Sequence, residues 1–110
     1  MLVTVQNQLY DVHIEYERVP HPDLKGRGVP VSTLASVSSI LSATKDADGK
    51  IVSVDESEII GNGAAYCSES DQFVRRTGRR LAIYRALEDA NFNGREISKF
   101  FKELEKTMKV

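Results

Sequence analysis

Five arginines stand at positions 75, 76, 79, 80 and 85, in the run RRTGRRLAIYR, with no acidic residue among them. A guanidinium is planar, always charged, and shaped for bidentate capture of phosphate or carboxylate. If the run is helical, Arg75/Arg79 and Arg76/Arg80 are like-charge pairs four apart, each repelling by about 0.2–0.5 kcal/mol. Cations near a helix N-terminus are disfavoured by a similar amount, because the backbone dipole is positive there. Local stability is therefore given up in this run, which marks Arg75, Arg76, Arg79, Arg80 and Arg85 as a candidate ligand- or partner-binding set. The N-terminal amides of the same helix would add donors for an anion. A structural reading stands beside this one. Arginine is a good helix former and solubilises an exposed face. Glu69 and Asp71 are close in sequence, and Asp55, Glu56 and Glu58 could neutralise the cluster from elsewhere in the fold.

The remaining chemistry-bearing residues form weaker patterns. Gly61-Asn62-Gly63 lacks a third glycine and any following Gly-Lys-Ser/Thr, so it is neither a dinucleotide fingerprint nor a P-loop, and a turn or bulge accounts for it better. Asp46 and Asp48 lack the other ligands of a calcium loop and read as turn residues. His13 and His21, with the single Cys67, have no metal-ligand spacing. Cys67 near a helix start could have a lowered thiol pKa, but no base is visible beside it. No cofactor or metal is implied, and the chain is expected not to be an enzyme.

Size and composition narrow the classes further. A chain of 110 residues with 41% hydrophobic and 28% charged residues has the make-up of one ordinary globular domain, here 1–110. No apolar run approaches a membrane span, and MLVTVQNQLYDVHIEY alternates rather than forming a secretory signal. One cysteine requires no oxidising compartment, so a cytoplasmic location is expected. The net charge of −1 hides an uneven distribution. Residues 1–67 hold nine acids against five bases, and residues 68–110 hold seven acids against ten bases. The positive field belongs to the second part.

The elements that must position the arginines follow from periodicity. Val3 and Val5, then Tyr10, Val12, Ile14 and Tyr16, alternate as two half-buried strands, with Gln6-Asn7-Gln8 turning between them. Residues 19–30, with all three prolines and two glycines, are expected as a long loop. Residues 31–44 carry both helical spacing (Leu34, Val37, Leu41) and a β-favouring Ser/Thr/Val/Ile content. A hairpin through the turn at Asp46–Gly49 to Ile51–Val54 is the preferred reading. Ile59-Ile60 and Ala64 to Cys67 would add one further strand, interrupted by the glycines. After Ser68 the pattern turns helical, with Ser68 and Asp71, or Ser70 alone, as caps. Phe73, Thr77, Leu81 and Tyr84 are expected to face the core, with Arg75, Arg76 and Arg79 pointing away. Asn93 with Glu96 makes a capping pair for a second helix, lined by Ile97, Phe101, Leu104 and Met108, with Phe100 beside them. The expected class is α+β, a small antiparallel sheet with two C-terminal helices packed on it.

Written out, Cys67-x3-Asp71-x-Phe73-x-Arg75-x2-Gly78-Arg79-x2-Ala82-x2-Arg85-Ala86-Leu87, preceded by a strand, resembles a pattern in small proteins encoded by bacteriophages and prophages. The resemblance spans residues 33–90 and is clearest in 64–87. It implies antagonism of a host defence system, as a CRISPR inhibitor or a sponge for nucleotide signals, inside an infected bacterium. The implied partner is a host defence protein or a phosphate-bearing ligand, nucleotide or nucleic acid, with no membrane. A protein-directed inhibitor could use the basic helix or the five acids of residues 46–58. A Gly78/Ala82/Ala86 strip, small and four apart, would let the helix approach a strand or, if exposed, seat a second copy in a homo-oligomer.

Overall fold

The computed structural model describes the backbone at residues 1–21, 24–66 and 75–108, and the side chains at 1–17, 32–66 and 76–107. It is an α+β fold, with elements in the order β1 (Leu2–Val5), β2 (Gln8–His21), β3 (Leu24–Lys45), β4 (Ile51–Tyr66), α1 (Arg75–Asp89) and α2 (Gly94–Met108). The four strands form one antiparallel meander, β1-β2-β3-β4. Both helices pack on the sheet, α1 across β4 and β3 and α2 against β1.

Local chemistry sets the turns. Gln6 and Asn7 both have positive φ (51° and 66°), the backbone that a two-residue hairpin between twisted strands requires. At the β3–β4 turn the Asp46 carboxylate accepts the amides of Asp48 and Lys50, both at 2.9 Å. Gly49 supplies φ of 82°, cheap only for glycine. The expected turn residues therefore act as turn residues.

The inner face of the sheet follows the strand period of two. Val3, Val5, Val12, Ala35, Val37 and Ala65 are buried against Ala82, Ile83, Ala86 and Leu87 of α1 and Ile97, Phe100 and Leu104 of α2. Tyr10, Phe92 and Phe100 form an aromatic cluster, with ring centroids 5.4–6.0 Å apart in tilted or edge-on pairs. Burial, and secondarily the nearby Glu96 carboxylate, raise the Tyr10 phenol above its usual pKa. The start of α2 is a reciprocal cap, as expected. Asn93 Oδ1 accepts the Glu96 amide at 2.9 Å, and Glu96 Oε1 accepts the Asn93 amide at 3.1 Å.

The strands run further than the sequence suggests. Residues 19–21 and 24–30 are strand, not loop: β2 continues to His21 and β3 begins at Leu24, with Arg18 paired to Pro30 and Val19 to Val29. β1 reaches only Asp11 and β4 pairs only from Ser32 onward, so among the described residues this section is two-stranded, with no partner on either edge. A proline lacking its N–H is tolerated on such an edge, and register shifts beside Arg18 and Val19 absorb the irregularity. Residues 31–44 are strand. The glycines at 61 and 63 do not interrupt β4, which is continuous from Ile51 to Tyr66 with a register shift at Ile60. A second two-stranded ribbon, of β3 and β4 alone, projects from the opposite end of the sheet. A straight 22-residue strand would span ~70 Å, yet the longest extent of the molecule is 51 Å. β3 therefore bends. The radius of gyration, 16.0 Å, exceeds the ~13 Å of a compact chain this long, because both ribbons project.

Among the described residues, no helix is long and apolar enough to cross a membrane.

Candidate anion-binding cleft between α1 and α2

How α1 sits on the sheet decides where its arginines point, and two glycines of β4 decide how α1 sits. A Cβ on Gly63 would lie 2.2 Å from the Ala82 carbonyl oxygen and 2.4 Å from the Ala86 amide nitrogen. One on Gly61 would lie 2.1 Å from the Ala86 carbonyl oxygen. The helix backbone is thus in direct contact with the strand backbone, which only small residues on both elements permit. Ala82 and Ala86 have no exposed surface, and a Cβ on Gly78 would meet Thr33 Oγ1 at 2.6 Å.

The expected helix phase is therefore overturned. Thr77, Leu81 and Tyr84 are exposed, and the inner stripe is Gly78, Ala82, Ile83, Ala86 and Leu87. Larger side chains would hold the helix away from Gly61 and Gly63. Of the two roles expected for the Gly78/Ala82/Ala86 strip, close approach to a strand is the one realised, against the protein's own β3 and β4, which leaves no exposed strip for a second copy. Phe73, the Ser68/Asp71 and Ser70 caps and Cys67 lie outside the described residues.

With the phase corrected, Arg76, Arg79 and Arg80 do not point away from the body of the protein. They line one cleft between α1 and α2, with Ile83, Phe101, Leu104 and Glu105. Arg80 Nη1 lies 3.2 Å from Glu105 Oε1, and its guanidinium carbon sits 5.0 Å from the centre of the Phe101 ring. Both partners are about half exposed, so the pair contributes well under 1 kcal/mol, and the cation–π contact adds a comparable amount. Arg76 and Arg79 have no ion-pair partner among the described residues. Arg75 is the first residue of α1, and its side chain is not among those described.

Arg85 has a different task. Its Nη1 donates to the Ala64 carbonyl at 2.6 Å, and Asp89, four residues on, accepts the Asn62 amide at 3.0 Å. β4 is an edge strand, and these are backbone groups turned away from β3. The two side chains clamp the free edge and satisfy it. Arg85 is a structural residue here, set apart from the other three.

Of the acids expected as counter-charges, Glu69 and Asp71 lie outside the described residues, and Asp55, Glu56 and Glu58 are elsewhere. α1 starts near Thr33 and ends near Gly61, so the β3–β4 ribbon extends beyond the far end of the helix. Counting rise per residue along β4 and α1 places Glu58 ~20 Å from Arg79, with Asp55, Asp48 and Asp46 farther still. At 0.1 M salt, charges decouple beyond about 10 Å. The counter-ion that does reach the cluster, Glu105, comes from α2.

The cleft encloses about 50 Å³, far below the ~300–1,000 Å³ of sites that engulf a small molecule. It suits one charged group, with the apolar walls of Ile83, Leu104 and Phe101 keeping the local dielectric low. No three His, Cys, Asp or Glu side chains gather as a metal site among the described residues.

Three participants were not anticipated from the sequence: Glu105, Phe101 as a wall of the cleft, and Asp89. The signal that could have set the helix phase was a pairing of small-residue patterns, Gly-x-Gly in β4 against Gly-x3-Ala-x3-Ala in α1. Comparison with protein-family models, with curated proteins and with solved structures finds no match to this chain.

Proposed function

We propose that this protein is a non-enzymatic binding domain that captures the phosphate groups of an anionic ligand in the α1–α2 arginine cleft. The observation that carries this reading is that Arg76 and Arg79 line the same cleft as Arg80 without an ion-pair partner among the described residues. Three guanidinium groups held close together on one helix repel each other, and an anion between them removes that cost. The volume weighs against an enclosed mononucleotide and for phosphates bound at the surface. The resemblance of residues 64–87 to phage-encoded proteins supplies the biological purpose within this proposal, antagonism of a bacterial host's defence in its cytoplasm. No catalytic step is assigned.

The test is fluorescence anisotropy with labelled single- and double-stranded oligonucleotides and a cyclic-nucleotide panel, with inorganic polyphosphate as competitor, at two salt concentrations. Binding is expected to weaken with salt with a log–log slope of about −0.7 per phosphate neutralised on a single strand. Arg76→Ala/Arg79→Ala should flatten that slope and abolish most affinity. Absence of binding to every polyanion would refute the proposal and leave the arginines as protein-facing charges.

A further inference from the structure

The outward stripe of α1 bears on which phosphate-bearing ligand fits. It consists of Thr77, Leu81, Tyr84 and Glu88, all exposed. A helix that reads a duplex lays its outward face in the major groove and needs cations or amides there. This stripe has no cation and includes an acid. Arg85, on the flank facing β4, is bonded to the Ala64 carbonyl. The usable cations, Arg76, Arg79 and Arg80, lie to one side, along the junction with α2.

The member of the outward stripe nearest those cations is Tyr84. It follows Arg80 by four positions, so the two side chains are neighbours on the helix surface. Its relative exposure is 43%, and it makes no hydrogen bond or ring contact among the described residues. Leu81, three positions before it, is 38% exposed and extends the apolar surface. Phe101 cannot take the same role, since the Arg80 guanidinium already lies over its ring. The cleft is too small to swallow a base, so a base attached to a bound phosphate must rest outside it. The aromatic face beside the arginines is Tyr84.

Resting on the phosphate-binding reading above, we infer that the ligand is single-stranded nucleic acid, its phosphates on Arg76, Arg79 and Arg80 and a base stacked on Tyr84. A positively charged groove beside an aromatic platform binds single strands with little sequence preference, since every base has a π-face. A duplex keeps its bases stacked inside and gains nothing from Tyr84. The acidic ribbon at the opposite end of the sheet, with Asp46, Asp48 and Asp55, repels a phosphate chain and confines the strand to the α1–α2 end.

The experiment compares wild type, Tyr84→Ala and Tyr84→Phe on a labelled twelve-nucleotide oligothymidine, on the matching duplex and on inorganic polyphosphate. Circular dichroism on each variant checks folding. Wild type should prefer the single strand over the duplex. Tyr84→Ala should weaken single-strand binding about tenfold, within the range of losing one stacked base, while Tyr84→Phe restores it. Polyphosphate, which has phosphates and no bases, should bind all three alike. Equal affinity for duplex and single strand, or a Tyr84→Ala variant that binds oligothymidine as wild type does, would overturn the single-strand inference with the phosphate-binding reading intact. Failure of wild type to bind polyphosphate or either oligonucleotide would overturn both.

Discussion

Replacing Gly63 by alanine tests the packing on which the whole arrangement depends. The added methyl would sit 2.2 Å from the Ala82 carbonyl oxygen, 2.4 Å from the Ala86 nitrogen and 2.8 Å from the Arg85 carbonyl carbon. All three are helix backbone atoms, which cannot rotate away, so α1 must rise from β4 by about 1 Å to restore ordinary contact. A gap of that size forfeits a quarter to a half of each dispersion contact it opens. The buried side chains Ala82, Ile83, Ala86 and Leu87 all face it. The Arg85–Ala64 and Asp89–Asn62 bonds span the same joint. Overpacking of this kind costs about 1–3 kcal/mol, and alanine's smaller unfolded-state entropy returns about 0.4–1 kcal/mol. A net loss of about 1.3 kcal/mol is expected, which is a fall in Tm of roughly 6 °C for a chain of this size. Urea unfolding followed by circular dichroism should show a lower midpoint with an unchanged slope. Gly78→Ala is the internal control. Its methyl meets side-chain rather than backbone atoms, Thr33 Oγ1 at 2.6 Å and Cβ at 3.5 Å, and its helix propensity gains about 1 kcal/mol, so it should be better tolerated. If Gly63→Ala proves as stable as Gly78→Ala, the close helix–strand contact is wrong, and the placement of the arginines falls with it.

Thr33 Oγ1 is buried without a hydrogen-bond partner among the described residues, so Thr33→Val should stabilise the fold by about 1 kcal/mol in the same unfolding assay; destabilisation would mean the hydroxyl has a partner. Arg85→Ala should lower stability by about 1 kcal/mol and leave polyanion affinity unchanged, whereas a loss of binding would return Arg85 to the ligand site. The companion change Asp89→Ala should speed amide exchange at Asn62, measured by NMR. Tyr10 holds its phenolic proton more tightly when folded than when unfolded. Its contribution is therefore complete below the ordinary value of 10.0 and is lost as pH rises through the raised folded value. Alkaline unfolding should accordingly be blunted in Tyr10→Phe, and an identical alkaline profile would rule Tyr10 out as its cause.

Features set by neighbours in the chain were legible from the sequence alone. The Gln6-Asn7 hairpin, the Asp46–Gly49 turn and the Asn93/Glu96 cap depend on a few adjacent residues and appear where expected. The fold class follows from the alternation of Val3, Val5, Val12 and Ile14 and the helical spacing of Ile97, Phe101, Leu104 and Met108, although Phe100, expected beside that face, is the phenylalanine that is fully buried. The length of β2 and β3 did not follow. A proline- and glycine-rich run reads as a loop, because the strand pairing that extends it lies between residues up to 12 apart, beyond any local pattern.

The phase of α1 was the decisive matter that the sequence left open. The stripe of Thr77, Leu81 and Tyr84 and the stripe of Gly78, Ala82 and Ala86 are both regular, and local hydrophobicity favours the first. Gly61 and Gly63 favour the second, because a strand without Cβ atoms there lets a helix of small residues come into backbone contact. That choice involves residues 15 to 25 positions apart, so no local pattern in α1 contains it. Once it is made, the arginines divide. Arg85 becomes an edge clamp, and Arg76, Arg79 and Arg80 are gathered with Glu105 and Phe101 from α2. The charge of the cluster was written in the sequence; its direction and its counter-ion came from the packing of α1 against β4 and α2.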